Sequence, residues 1–128
     1  MDFDIENKTC SFCGVRGTPG VKFAGGLGAM MCVPCVEHFH DVFSTEAKTD
    51  AVSRPPWEAM SDEEVLGTLP LIARNAEQVN EFLTEWVELA RSRKLSWAEI
   101  GRVMGTSRQA AWERFAQRVE KRRSQHTA

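Results

Sequence analysis

The stretch Leu95-Ser-Trp-Ala-Glu-Ile-Gly-Arg-Val-Met-Gly-Thr-Ser-Arg-Gln-Ala-Ala-Trp-Glu-Arg-Phe115 decides how the C-terminal half of this chain folds. Ser96 followed three residues later by Glu99 is a capping box, which starts a helix at Trp97. Ile100 and Met104, spaced i and i+4, give that helix an apolar stripe. Gly105 ends it, because glycine takes the left-handed conformation without steric cost, and Ser107 then caps a second helix. Ala111 and Phe115 face inward on the second helix, and Gly101 is small enough to let the pair approach. Two short helices joined by a three-residue turn form a helix-turn-helix.

This reading leaves Ser107, Arg108, Gln109, Trp112 and Glu113 pointing outward at the start of the second helix. Arginine can bridge O6 and N7 of guanine, and glutamine N6 and N7 of adenine, so the set suits a DNA major groove. Capped helix pairs also occur in all-α proteins that bind no DNA. The wording from Ser96 to Phe115 resembles the helix-turn-helix segments of small bacterial transcription regulators and sigma-factor-like domains, over about twenty residues. That resemblance implies double-stranded DNA as a partner.

Charge is divided along the chain. Residues 1–69 carry 5 Lys and Arg against 11 Asp and Glu, net −6, whereas residues 70–128 carry 11 against 7, net +4. The basic half is the half with the capped helix pair. From Ser107 to Arg123 there are 6 basic residues against 2 acidic ones, and Arg118, Lys121, Arg122 and Arg123 make a candidate phosphate clamp beside the second helix. No apolar run approaches a membrane span, and the N-terminus lacks the basic and apolar regions of a signal peptide, so a cytoplasmic protein with no membrane partner is expected.

Cys10, Cys13, Cys32 and Cys35 form two Cys-x2-Cys pairs separated by eighteen residues. In a reducing compartment this is the spacing of a four-thiolate zinc site, with one structural Zn2+ per chain and no position open to water. Redox dithiols come as a single Cys-x2-Cys on a strand-to-helix turn, which these matched pairs do not fit. Gly14 suits the turn after the first pair, and Pro34 suits the first turn of a helix starting near Cys35. Between the pairs, Val21 to Phe23 and Met30 to Met31 flank Gly25, Gly26 and Gly28 as a short hairpin, and Val36, Phe39, Val42 and Phe43 give a helical stripe to close over it. His38 and His40 follow the second pair and are expected to be solvated rather than ligating.

The segments Cys-Ser-Phe-Cys-Gly, Val-Lys-Phe-Ala-Gly-Gly and Cys-Val-Pro-Cys-Val-Glu-His-Phe-His-Asp-Val-Phe resemble, without a gap over residues 9–43, the N-terminal zinc-binding domain of the Clp-protease unfoldase ClpX. The resemblance implies a treble-clef zinc fold that dimerises and docks adaptors or substrates. The hairpin departs from that family's Leu-Ile-Ala-Gly-Pro wording, and no Gly-x4-Gly-Lys-Ser/Thr phosphate loop follows, so the chain is not the unfoldase.

Ser44 to Met60 loses periodicity and contains Arg54-Pro55-Pro56, the composition of a linker between separate bodies. Ser61-Asp-Glu-Glu64 starts a short helix that is expected to end near Leu69, with Pro70 opening another. Ile72, Ala76, Val79, Leu83, Trp86 and Ala90 then repeat at 4, 3, 4, 3, 4, and are read as the packing face of a helix lying across the helix-turn-helix rather than as a free coiled coil. Arg91, Arg93 and Lys94 close it with positive charge.

The fold class expected is thus a small zinc-binding treble-clef module, a short β-hairpin plus helix, followed by an all-α helix-turn-helix domain. The expected domains are 1–45, a linker 46–60, and 61–128. A homodimer is expected, since a single helix-turn-helix reads too few base pairs; the ClpX-like module or the Ile72 to Ala90 seam can supply the two-fold axis, the resemblance favouring the module, which can also bind a protein partner. No catalytic residue is identified. The competing reading is a protein-interaction adaptor of the Clp protease system that binds no DNA.

Overall fold

Pro34 has no N–H to lose, and it occupies the first turn of the first α-helix, whose N-cap is Cys32. The computed structural model describes residues 5–46 and 56–127. Strands β1 (Phe23–Gly25) and β2 (Met30–Cys32) pair antiparallel, with Phe23 opposite Cys32 and Gly25 opposite Met30. Helix α1 (Val33–Phe43) follows without a break. The hairpin and helix lie next to the four cysteines, as expected. The apolar stripe of α1 closes less than its spacing implies, because Val42 is buried while Val36 and Phe43 are exposed.

After the 3-10 turn Pro56–Ala59, which leaves Trp57 exposed, the remaining elements are helical: α2 (Asp62–Ser92), α3 (Trp97–Met104) and α4 (Arg108–Thr127). The greater part of the expected linker, residues 47–55, lies outside the described residues. Ser61 caps α2 by accepting from the N–H of Glu64 at 3.2 Å.

The break expected at Pro70 does not occur. One helix runs from Asp62 to Ser92 with Pro70 inside it. Proline removes the bond its own N–H would give the carbonyl of Leu66, and its ring crowds that carbonyl; both residues are exposed, so the carbonyl can tilt outward to water.

The chain divides into two compact units within α2, one ending at Val79 and the other beginning at Asn80. In the first unit the start of α2 packs on the cysteine module. The Gln78 side chain accepts from the N–H of Thr9 at 2.7 Å and donates to the Thr9 carbonyl at 3.0 Å, with both residues buried. A Cβ added to Gly14 would stand 3.1 Å from a δ-carbon of Leu71, so this glycine is needed for room as well as for its φ of 80°.

In the second unit the core is Val87 of α2, Ile100 of α3, and Ala111, Phe115 and Val119 of α4, with Leu83, Ala90 and Trp97 packed against it. Burial of Ala111 and Phe115 agrees with the sequence reading. Met104 does not: it is exposed, and Gly101 takes the inward position beside Ile100. The 4-3 seam of α2 is likewise only partly a packing face. Leu83 and Ala90 join the core, but Ile72 and Trp86 are 58% and 50% exposed. Hydrogen-bonded polar residues take buried positions off that seam, Gln78 in the first unit and Glu85 in the second.

The turn from α2 to α3 is closed by two bonds, Leu95 N–H to the Ala90 carbonyl and Lys94 N–H to that of Arg91, with Lys94 left-handed at φ 64°. This is a Schellman ending built on a lysine instead of a glycine. Arg91 braces it, donating to the Leu95 carbonyl at 2.9 Å and lying 4.9 Å over the Trp97 ring.

Candidate metal centre and candidate nucleic-acid interface

Each cysteine pair is presented by a short turn. Around the first, the N–H of Gly14 donates to the Cys10 carbonyl and that of Cys10 to the Val15 carbonyl, so the backbone doubles back within six residues. Ser11 ties this turn to the hairpin, its N–H donating to the Met30 carbonyl and its hydroxyl accepting from the Met30 N–H. The second pair straddles the junction of β2 and α1, which places Cys32 at the strand end and Cys35 in the first helical turn.

The four sulfurs lie within 4.8 Å of one another. Cys10 and Cys35 are 3.8 Å apart, and Cys13 and Cys32 are 3.7 Å apart. A tetrahedral ion bonded to sulfur at about 2.3 Å sets its ligands about 3.8 Å apart, so two edges already have the separation such an ion requires. Neither His38 nor His40 belongs to the cluster; both are exposed on α1.

Electrostatics point the same way. Burial works against a thiolate at Cys10, but backbone N–H groups, Cys32 and Phe12 among them at 3.4 Å, outweigh it and lower its pKa to about 6. Burial pushes the thiols of Cys32 and Cys35 up, and for Cys35 the neighbouring sulfurs add to the rise. Four sulfurs this close cannot all carry charge without a cation among them. The cluster can hold one metal ion, and an all-thiolate tetrahedron fits zinc.

The α3–α4 pair is built as its caps dictate. Ser96 Oγ accepts from the Glu99 N–H at 3.1 Å, and Glu99 accepts from the Ser96 N–H at 2.7 Å. Those bonds hold the Glu99 carboxyl below the usual carboxylate range. Gly105 is left-handed at φ 71°, and the Thr106 N–H donates to the Gly101 carbonyl at 2.8 Å. A Cβ on Gly101 would lie 2.8 Å from the Ser107 carbonyl oxygen and 2.9 Å from that of Thr106, so the turn folds directly over this glycine. Ser107 Oγ caps α4 by accepting from the Ala110 N–H, which leaves the hydroxyl proton free to donate.

Arg108, Gln109, Trp112 and Glu113 are all exposed, Trp112 by 49%. Gln109 donates to Glu113 at 3.1 Å, an i, i+4 bond on the open face. Arg118 and Lys121 are exposed as well, and Arg123 borders a groove of about 370 Å³ with Arg91, Trp97 and Glu120. Arg122 departs from its expected role. It forms a fork with Glu85 at 3.1 Å and Glu88 at 2.9 Å, part-buried between α4 and α2. A guanidinium held by two carboxylates is a brace between helices, not a phosphate contact.

Sequence reasoning passed over Arg114. It is exposed, lies 4.9 Å over the Phe115 ring, and stands with Arg118 and Lys121 at i, i+4 and i+7 along α4. That spacing was the available signal, hidden in a count of total charge. Among the described residues, no helix is long and apolar enough to cross a membrane. Comparison of the chain with protein-family models, curated proteins and solved structures finds no match in any of the three, so the two family resemblances rest on the quoted residues alone.

Proposed function

We propose that this protein is a cytoplasmic, sequence-specific DNA-binding transcription regulator. In this reading α4 enters the major groove, Arg108 and Gln109 read base edges, and Arg114, Arg118 and Lys121 meet phosphates. One observation carries it: the start of α4 is exposed on the side that holds Arg108, Gln109 and Trp112, while Ala111 and Phe115 are buried in the core on the other. A rigid helix with a basic, hydrogen-bonding outer face and a net +4 half-chain suits a polyanionic duplex. The cysteine module, a treble clef in this reading, holds one structural Zn2+ per chain through Cys10, Cys13, Cys32 and Cys35. The protein acts as a homodimer on a palindromic site.

The test is a gel shift against fragmented genomic DNA across a salt series. The expected result is a preferred fragment and a steep fall of affinity with salt. Affinity that ignores both sequence and salt overturns the reading.

A second reading, a protein-interaction adaptor, draws on the zinc module itself. Phe12, Phe39 and Phe43 form an aromatic row, with ring centroids 5.5 and 6.3 Å apart, and Phe12 and Phe43 are more than half exposed. Exposed aromatics of this kind suit a peptide or protein partner. Under this reading Phe12→Ala abolishes capture of the partner, and the chain shows no DNA preference.

A further inference from the structure

We infer that the first half of α2 is the surface on which a second copy of this chain docks, a step that rests on the homodimer of the proposed function and names its interface. Val65, Leu69, Ile72, Ala76 and Val79 follow one another at 4, 3, 4 and 3 residues, the repeat that keeps apolar side chains on one seam. This seam is open: Val65 is 39% exposed, Leu69 55%, Ile72 58% and Val79 38%, with Leu66 beside it at 65%. The cysteine module meets the helix through Leu71 and Gln78 and touches the seam at its end, where a Cβ on Gly28 would lie 3.7 Å from Val79. It thereby fixes the helix and leaves the Val65, Leu69 and Ile72 part of the seam open.

The occupant follows from what surrounds the stripe. Pairing along a 4-3 seam places the flanking residues of both helices next to one another. Here they are Leu66, Ala73 and Asn80 on one side and Thr68 and Asn75 on the other, none of them charged. A partner of different sequence is ordinarily selected by complementary charges at these positions, whereas uncharged flanks let identical helices meet without like-charge repulsion. A lipid surface is disfavoured: amphipathic membrane helices carry Lys and Arg on the polar face, while residues 62–79 carry Asp62, Glu63, Glu64 and Glu77 against Arg74 alone.

Area agrees. The exposed apolar stripe amounts to roughly 400 Å², within the roughly 300–600 Å² of the largest patch on a typical monomer, which is often a functional one. A stable dimer buries about 800 Å² per partner, a little over half of it apolar. The stripe supplies the apolar part, and the exposed neutral flank of Ala73 and Asn80 adds to the rim.

The experiment is sedimentation velocity on the full chain from about 1 to about 100 µM, the range in which specific dimers of this size assemble. The expected result is a dimer whose dissociation constant rises at least about 100-fold in Leu69→Glu/Ile72→Glu, with metal content and helicity unchanged because both side chains are exposed. Phe12→Glu/Phe43→Glu is expected to leave the dimer intact. Benzoylphenylalanine placed at Leu66 gives a second, independent readout, expected to crosslink to residues 62–80 of the other copy. A parent that stays monomeric overturns the inference, as does a dimer lost in the Phe12/Phe43 variant and kept in the Leu69/Ile72 variant. A parent that dimerises through α2 yet binds no DNA sinks the DNA reading alone, and one that binds its DNA as a monomer sinks this inference and the homodimer it rests on while DNA binding stands.

Discussion

Arg122 Nη2 stands 3.1 Å from Glu85 Oε1, joining the last helix to α2 across 37 positions of sequence. Glu85 is buried, so removing the guanidinium strands a carboxylate away from water. Arg122→Ala is expected to cost about 1 to 3 kcal/mol and to lower the melting temperature. Arg122→Lys recovers only part of this, because an ammonium cannot bridge Glu85 and Glu88 as a planar fork does.

Lys121 and Arg118 should behave in the opposite way. Both are exposed, so either change to Ala should leave stability within about 0.5 kcal/mol while lowering the salt slope of DNA binding by about one. Arg108→Ala is expected to cost about 1 to 3 kcal/mol on the preferred site and to flatten discrimination there. Salt-dependent binding curves, measured beside thermal melts, separate the three behaviours. Equal loss of melting temperature in all three would remove the distinction.

The glycines of the helical part make a matched pair. Gly101→Ala drives a methyl group into the carbonyl oxygens of Thr106 and Ser107, which belong to the backbone and cannot swing aside, and should destabilise by about 1 to 3 kcal/mol. Gly67→Ala, in an exposed stretch of α2 with nothing within 4 Å, should stabilise by about 0.5 to 1 kcal/mol. Urea melts of the two variants are expected to shift in opposite directions.

Metal binding should depend on pH with a definite sign. Cys32 and Cys35 have raised pKa values and hold their protons through neutrality, so an incoming cation must displace both. Apparent affinity therefore falls as pH falls, by at least about 100-fold per unit from these two protons. Competition against a chromophoric chelator between about pH 6.5 and about pH 8 measures this slope. Affinity that does not change with pH would mean that the thiols are not the ligands.

Gln78 connects that chemistry to α2. Gln78→Ala leaves a buried N–H and carbonyl of Thr9 unsatisfied and should cost about 2 kcal/mol. Chelation is then expected to raise amide exchange in residues 62–79 as well as in 9–43, while residues 97–123 stay protected. Exchange confined to 9–43 would show that the clamp transmits nothing.

What could be read from the sequence was local. Each Cys-x2-Cys pair, the Ser96–Glu99 box, the Gly105 stop and the inward pair Ala111 and Phe115 involve residues within a turn or two of one another, and the two cysteine pairs need only meet to complete one tetrahedron. Pro70 reads as a break because the sequence alone does not show that the Leu66 carbonyl it displaces lies on an exposed side of the helix. Ile72 and Trp86 were misread because apolar spacing gives a seam but not which side of the helix the neighbours take. The Schellman ending at Lys94 carries no glycine to announce it. Arg122 looked like its basic neighbours, and only its distance to Glu85 sets it apart.

The bond between Thr9 and Gln78 spans 69 positions, and that separation orders the events of folding. Closing so long a loop is entropically slow, whereas each cysteine turn and the α3–α4 turn close within a few residues. During synthesis Cys35 emerges some forty residues before Gln78, so the thiols can gather an ion while α2 is still incomplete. The module is then a finished template against which the start of α2 is laid down, and a chain halted short of Gln78 would hold its metal without its clamp.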